Sequence, residues 1–493
     1  MRRFLLFVVA SATLFVTAAW AAEPAAPEFP GESGIHATDL MRTVTWLASP
    51  ALAGRVAGSP GYMSAARGMA ARFRQLGLKP GGEGGFYQRF DVEYAEIPTC
   101  ALGLVRPDGS VRELELGTEF TCRGWTGSGD FTAPVVFAGY GISEPARGYD
   151  DYAGLDARGK VVLAIKAAPP FRLDSLGWGD LALPRPRGRV AAAHGARGLL
   201  LTALGDPMAP ITPIGSVLEG PGPQDQAFPR LMLGVPAAEE MVAAAGLRLA
   251  DLRAAIDSTH QPHSRDLGIA VRVRVRARYQ ARRPSANVVG ILAGADPALR
   301  DQYLVIGAHL DHVGRQGSIY FPGANDNASG AAAVAALAAA FARADARPRR
   351  SVVFVLFSSE ESGLDGSKHF VAHPPVPRSR IVAYLNLDCV GVGDSIQVGS
   401  GETSPKLWKL ARDLDADGAR LTVAETWGGG GADAAPFAGE HIPTAYFVSR
   451  FSYPHLHQVG DTPATLNPTL YEALVRLVYR TAWRVAEGGY SGE

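Results

Sequence analysis

Five short stretches of this 493-residue chain hold the side chains that bind cations and move protons. They are His309-Leu310-Asp311, Asn325-Asp326-Asn327, Ser358-Ser359-Glu360-Glu361, Asn386-Leu387-Asp388, and His455-Leu456-His457 with Asp461 shortly after. Taken singly, each has an ordinary reading. An acidic residue after an apolar run is most often a helix N-cap, adjacent glutamates suit a helix start, and a lone histidine is usually a core or surface residue. Taken together, imidazole and carboxylate donors without a thiolate suit a catalytic zinc, which keeps a coordination position open.

The segments that must position these residues are apolar. Strand-like runs at 303–308, 352–357, 382–387 and 444–448 alternate with helical text at about 328–343, 404–415 and 469–486. That alternation predicts an α/β fold with a mostly parallel (mixed) central sheet sandwiched by helices. Ligands of such sheets sit beyond the carboxyl ends of the strands, where His309, Asp326, Glu360 and Asp388 fall. Cys389 directly follows Asp388, and strand alternation turns it away from the site as a core residue.

The remaining text sets the organisation. Hydrophobic residues make up 47% and charged residues 19%, with zero formal net charge, so nothing favours nucleic acid or an anionic membrane as partner. Arg2-Arg3, an apolar run from Phe4 to Thr17 and Ala19-Trp20-Ala21 read as a signal peptide over 1–21. That places the protein in the periplasm or outside the cell, with no stable membrane anchoring after cleavage. Residues 22–35 read as an exposed linker, and 36–95 as helices flanking a turn-rich loop, Ala51 to Pro60, with strand text at Phe86–Val92. From 96 to 283 short β-like runs dominate, and dense strand text resumes at Asn287. Cys100 and Cys122 suit either a disulfide or two buried thiols.

The five stretches, in this order, resemble the motifs of the di-zinc aminopeptidases of clan MH, the M28 family. Glycine-lysine text at 159–164 and the run 189–201 resemble a protease-associated (PA) domain. The resemblance implies a peptidase domain in two parts, 36–95 and 284–490, around an inserted β-rich PA-like domain at 96–283. It implies two Zn2+ per chain, bridged by Asp326, with Glu361 and His457 completing one and His309 and Asp388 the other. Asp311 is then expected to hydrogen-bond the far nitrogen of His309. Glu360 acts as general acid and base while a hydroxide bridging the two metals attacks, and a cis peptide joins Asp326 to Asn327. The implied activity is hydrolysis of the first peptide bond of peptides with a free N-terminus. One departure stands out: Ala432-Asp433-Ala434 occupies the place where the family often has Ser-Asp-His, with Phe437 in register.

Three rivals share parts of this pattern: a carboxypeptidase or dipeptidase of the same fold, a glutaminyl-cyclase-like acyltransferase with one zinc, and a non-catalytic peptidase-like binding ectodomain. Loops near 315–321, 425–437 and 449–456 are the expected side-chain pocket, with Phe321, Trp427, Phe437, Phe451 and Tyr453 as candidate apolar walls. His312 and His455 flank the site.

Overall fold

A computed structural model describes residues 29–106, 108–205, 212–450 and 453–493. The expected leader at 1–21, the start of the following stretch and Phe451 lie outside the described residues. The stretch read as an exposed linker is packed from Phe29 onward. Phe29 and Ile35 are buried, and Glu32 pairs with Arg480 at 2.7 Å. Two apolar anchors and an acid with a cationic partner outweigh the Pro-Gly composition on which the linker reading rested.

The strands that carry the chemistry form one half of a long mixed sheet. Tyr303–His309 lies between Ser351–Phe357 and Ile381–Leu387, parallel to both. Thr444–Arg450 continues parallel beyond Ile381–Leu387, and Ser395–Gly399 closes that edge antiparallel. Because these four central strands run the same way, their carboxyl ends meet at one edge. Their residues alternate between two cores. Leu304, Ile306, Phe354, Leu356 and Leu385 join the helices Ala37–Leu47, Pro60–Gln75, Gly330–Arg343 and Pro468–Ala486. Val305, Val353, Val355, Phe357 and Tyr384 face the short helices Asp365–Ala372 and Ala434–Gly439. Alanine dominates Gly330–Arg343, and small side chains let this helix lie close against the sheet.

The other half of the sheet starts from two long strands. Tyr87–Val105 and Arg265–Leu292 pair antiparallel from Tyr87↔Val288 to Val105↔Ala270, with two register shifts. Positions 95 and 283, where the composition changes, therefore lie inside continuous strands. What changes there is the core served: residues 97–275 build two hydrophobic clusters of their own around Gly129–Phe137, Val161–Ile165, Gly198–Thr202 and Arg230–Leu233. Cys100 and Cys122 form a disulfide within this half. Among the described residues, no helix is long and apolar enough to cross a membrane.

Candidate metal centre

His309 ends the strand Tyr303–His309, buried at 2% exposure. Its Nδ1 donates to the Asp311 carbonyl at 3.2 Å. A carbonyl only accepts, so Nδ1 carries hydrogen and Nε2 is the atom turned to the carboxylates. Nε2 lies 3.3 Å from Asp326 Oδ1, 3.4 Å from Asp388 Oδ1 and 4.0 Å from Glu360 Oε2. On the far side of Asp326, its Oδ2 lies 2.9 Å from His457 Nε2, which also meets Glu361 Oε2 at 3.0 Å. The two oxygens of one buried carboxylate thus face two different histidines.

Each of these groups is held by its own loop. Asp461 accepts from the backbone N–H groups of Asn325 at 2.8 Å and Asp326 at 3.1 Å, and Tyr453 donates to the same carboxylate at 2.6 Å. Asn327 Nδ2 donates to the Leu387 carbonyl, and Gly391 N–H to Asn325 Oδ1, so the Asp326 loop is laced to the chain on either side of Asp388. Gly330 sits where a Cβ would come 2.4 Å from the Leu387 carbonyl oxygen, so only glycine allows that approach. The Asp326–Asn327 peptide is cis. His457 has a φ of 54°, and its carbonyl accepts from Gly215 N–H at 2.8 Å. The middle stretch of the chain thereby grips the His457 loop.

Two sequence expectations need correction. Asp311 was expected to hydrogen-bond the far nitrogen of His309, but its nearer oxygen, Oδ1, stands 3.9 Å from Nδ1. The carboxylate instead accepts from the backbone N–H groups of Glu360 at 3.2 Å and Glu361 at 3.4 Å, and it is the backbone of Asp311 that fixes the histidine. Cys389 was expected to face away from the site. With φ at 52° the strand alternation stops at Leu387, and the thiol comes within 4.8 Å of carboxylate oxygens of Asp326 and Asp388.

Burial and charge set the protonation. Burial opposes ionisation of Glu361, but His457 and the His312 hydrogen bond outweigh it and hold the carboxyl at about 2. Burial likewise opposes ionisation of Asp326, and hydrogen bonds from His309 and His457 hold it well below the usual range. Glu360 is pushed well above the usual range, chiefly by burial, and Asp311 and Asp433 are pushed up to about 7 by the same cause.

Several contributors were not legible as such. The Arg55 guanidinium is fully buried behind the site, donating to the carbonyls of Leu310, Leu47, Pro322 and Gly323. All its partners are backbone carbonyls, three of them more than 250 residues away, so no side-chain spacing announces it. Gly54, next to it, lies where a Cβ would meet the Gly314 carbonyl oxygen at 2.2 Å with φ at 71°. His312 donates from Nδ1 to Glu361 Oε1 at 2.6 Å, since an ionised carboxylate only accepts. Tyr446 donates to Asp388 Oδ2 at 2.7 Å. Among the candidate pocket aromatics, Phe321 and Phe437 are fully buried, Phe437 stacking on Tyr384 at 3.9 Å. Both are therefore core residues, whereas Trp427 lies against Tyr446 near the site.

The donor set fits divalent cations. His312, Asp326, Glu361 and His457 bring one potential ligand atom each within 4.8 Å of one another, as do His309, Glu360 and Asp388. Asp388 Oδ1 is buried without a hydrogen-bond donor, an arrangement that is costly unless something cationic meets it.

Fold and site together define a mixed α/β protein with a buried histidine–carboxylate centre at the carboxyl edge of its parallel strands. Residues 287–482 match the model of Peptidase family M28. Leupeptin-inactivating enzyme 1 of Streptomyces exfoliatus is 33% identical over 34% of this chain and 36% of its own length. The probable glutamate carboxypeptidase VP8 of Zea mays is 28% identical over 88% of this chain and 63% of its own. The chain spans about a quarter to a third of the length of the first curated relatives it matches, 36%, 27% and 26%. The aminopeptidase from Aneurinibacillus sp. strain AM-1 shares the fold, with a TM-score of 0.63 and 22% identity over 92% of this chain and 95% of that one.

Proposed function

We propose that the protein is a zinc-dependent aminopeptidase that hydrolyses the first peptide bond of peptides with a free N-terminus. The observation that carries this reading is Asp326, whose Oδ1 faces His309 and Oδ2 faces His457. Asp326 then serves two cation positions, completed by Glu361 and His457 on one side and His309 and Asp388 on the other. Bound there, a pair of zinc ions supplies a Lewis acid for the scissile carbonyl and lowers the pKa of the attacking water.

The chain's own groups do the rest. Glu360 lies beside His309 with its side chain 16% exposed, so a water and a substrate amide can reach its carboxyl. Its carboxylate takes the water's proton and returns it to the leaving amine. The backbone bonds from Glu360 and Glu361 to Asp311 keep base and ligand in fixed relation.

Residues 96–283 are read as an inserted PA-like module between peptidase parts 36–95 and 284–490, a division supported by the separate clusters drawn from 97–275. The leader-like text at 1–21 supports export. Dialysed protein is expected to carry about two zinc ions per chain, and a chelator to abolish hydrolysis, as elemental analysis and an activity assay would report. A content near one favours the cyclase reading instead. Aminoacyl chromogenic substrates should be cleaved only with a free α-amine. Equal cleavage of N-blocked substrates, or of dipeptides alone, removes the aminopeptidase assignment in favour of the other exopeptidases.

A further inference from the structure

The three acidic residues assigned to the two cation positions are not held alike. Both oxygens of Asp326 face histidine nitrogens. Glu361 has Oε1 on His312 and Oε2 on His457. Asp388 differs, because its Oδ2 is held by a phenol, Tyr446, at 2.7 Å, and its Oδ1 faces His309 with no donor.

Register explains how Tyr446 gets there. Thr444–Arg450 lies parallel to Ile381–Leu387, with Asn386 opposite Tyr446 and Leu387 opposite Phe447. Phe447 enters the helix-covered core, so Tyr446 rises on the other face. Its ring packs edge-on against Trp427 at 5.5 Å, and Trp427 is itself fixed by an Nε1–H bond to the Gly430 carbonyl. A carboxylate oxygen only accepts, so the phenol is the donor in this bond.

We propose that Tyr446 is a positioning residue: its hydroxyl holds the outer oxygen of Asp388 so that a single oxygen, Oδ1, is offered to the cation beside His309. This rests on the two-cation reading above. With one oxygen of Asp388 committed to Tyr446, that half of the centre presents three protein atoms: His309 Nε2, Asp388 Oδ1 and Asp326 Oδ1. Three protein donors are the count that leaves a catalytic cation open to water or substrate. The hydroxyl touches neither water nor substrate in this role; it acts through Asp388. It also acts on one half of the centre alone, since Glu361 takes its hydrogen bond from His312.

The test is Tyr446→Phe, which keeps the ring against Trp427 and removes only the donor. Apoprotein of wild type and variant is titrated with zinc by calorimetry, and the thermal midpoint of each apoprotein is recorded. The expected result is two binding events in wild type. In the variant one event is unchanged and the other is weakened by about 10–100-fold, the usual effect of losing an outer hydrogen bond to a ligand. In an Asp388→Ala background the same substitution should change zinc affinity no further, because the effect runs through that carboxylate. Two unchanged events in Tyr446→Phe, equal weakening of both, or a full additional loss in the Asp388→Ala background would each overturn the inference. Fewer than two events in wild type overturns the two-cation reading itself, which distinguishes the two failures.

Discussion

Glu360→Gln is expected to leave the zinc content unchanged and to lower turnover by about 10²–10⁴-fold, the range that a positioned acid or base contributes. The amide keeps the volume of the side chain and a carbonyl oxygen at the same place, but it neither accepts nor returns a proton at neutral pH. Glu360 is not among the groups that the proposed function gives to either cation, and its Oε2 stands 4.0 Å from His309 Nε2. Its backbone N–H, the one that meets Asp311, is untouched by the exchange. Metal content by elemental analysis and kcat on an aminoacyl substrate check the two halves separately. Near-wild-type kcat with full zinc would remove Glu360 as the proton carrier.

Arg55→Leu is expected to destabilise the protein by about 4 kcal/mol or more, because each orphaned buried carbonyl costs about 1–3 kcal/mol. Four carbonyls, those of Leu47, Leu310, Pro322 and Gly323, take their hydrogen bonds from this one guanidinium. They belong to three segments: the end of the helix Ala37–Leu47, the residue after His309, and the turn before Asp326. Arg55 is also a fixed positive charge near Asp461, Asp311, Asp326 and Glu361, and burial lowers its own pKa to about 10 without removing that charge at neutral pH. Its loss leaves these carboxylates less compensated, so the variant's zinc affinity should rise less than its apoprotein stability falls. Equilibrium urea unfolding of the metal-free protein reads the effect. Arg55→Lys should recover part of it, since one ammonium keeps the charge but not the fork. An unchanged midpoint in Arg55→Leu would show that water replaces the guanidinium at these carbonyls.

Much of the half that holds the parallel strands was legible because its signals are local. Apolar runs of strand length predicted Tyr303–His309, Ser351–Phe357, Ile381–Leu387 and Thr444–Arg450 within a few residues, and the polar residue closing each of the first three fell where the parallel arrangement needs it. The two long strands were less legible. Tyr87–Val105 and Arg265–Leu292 each cross a change of composition, which reads as a boundary, although the backbone hydrogen bonds of the pair continue through it. Side-chain text reports which core a strand serves and says little about where its ladder ends.

The residues of the centre divide along the same line. The order and types of His309, Asp326, Glu360, Glu361, Asp388 and His457 are a property of the chain, and the fold brings these side chains together at the carboxyl edge of the parallel strands. Which atom of each donor faces which partner was decided only by the fold. The backbone of Asp311, not its carboxylate, orients His309, because the strand end turns the carboxylate toward the Glu360 and Glu361 amides. Cys389 turns inward because its backbone is left-handed, an outcome that two-residue alternation has no means to express. Arg55, His312 and Tyr446 act chiefly through contacts with segments up to 268 residues away. Hydrogen bonds across such separations depend on three-dimensional register, which no local pattern of side chains encodes.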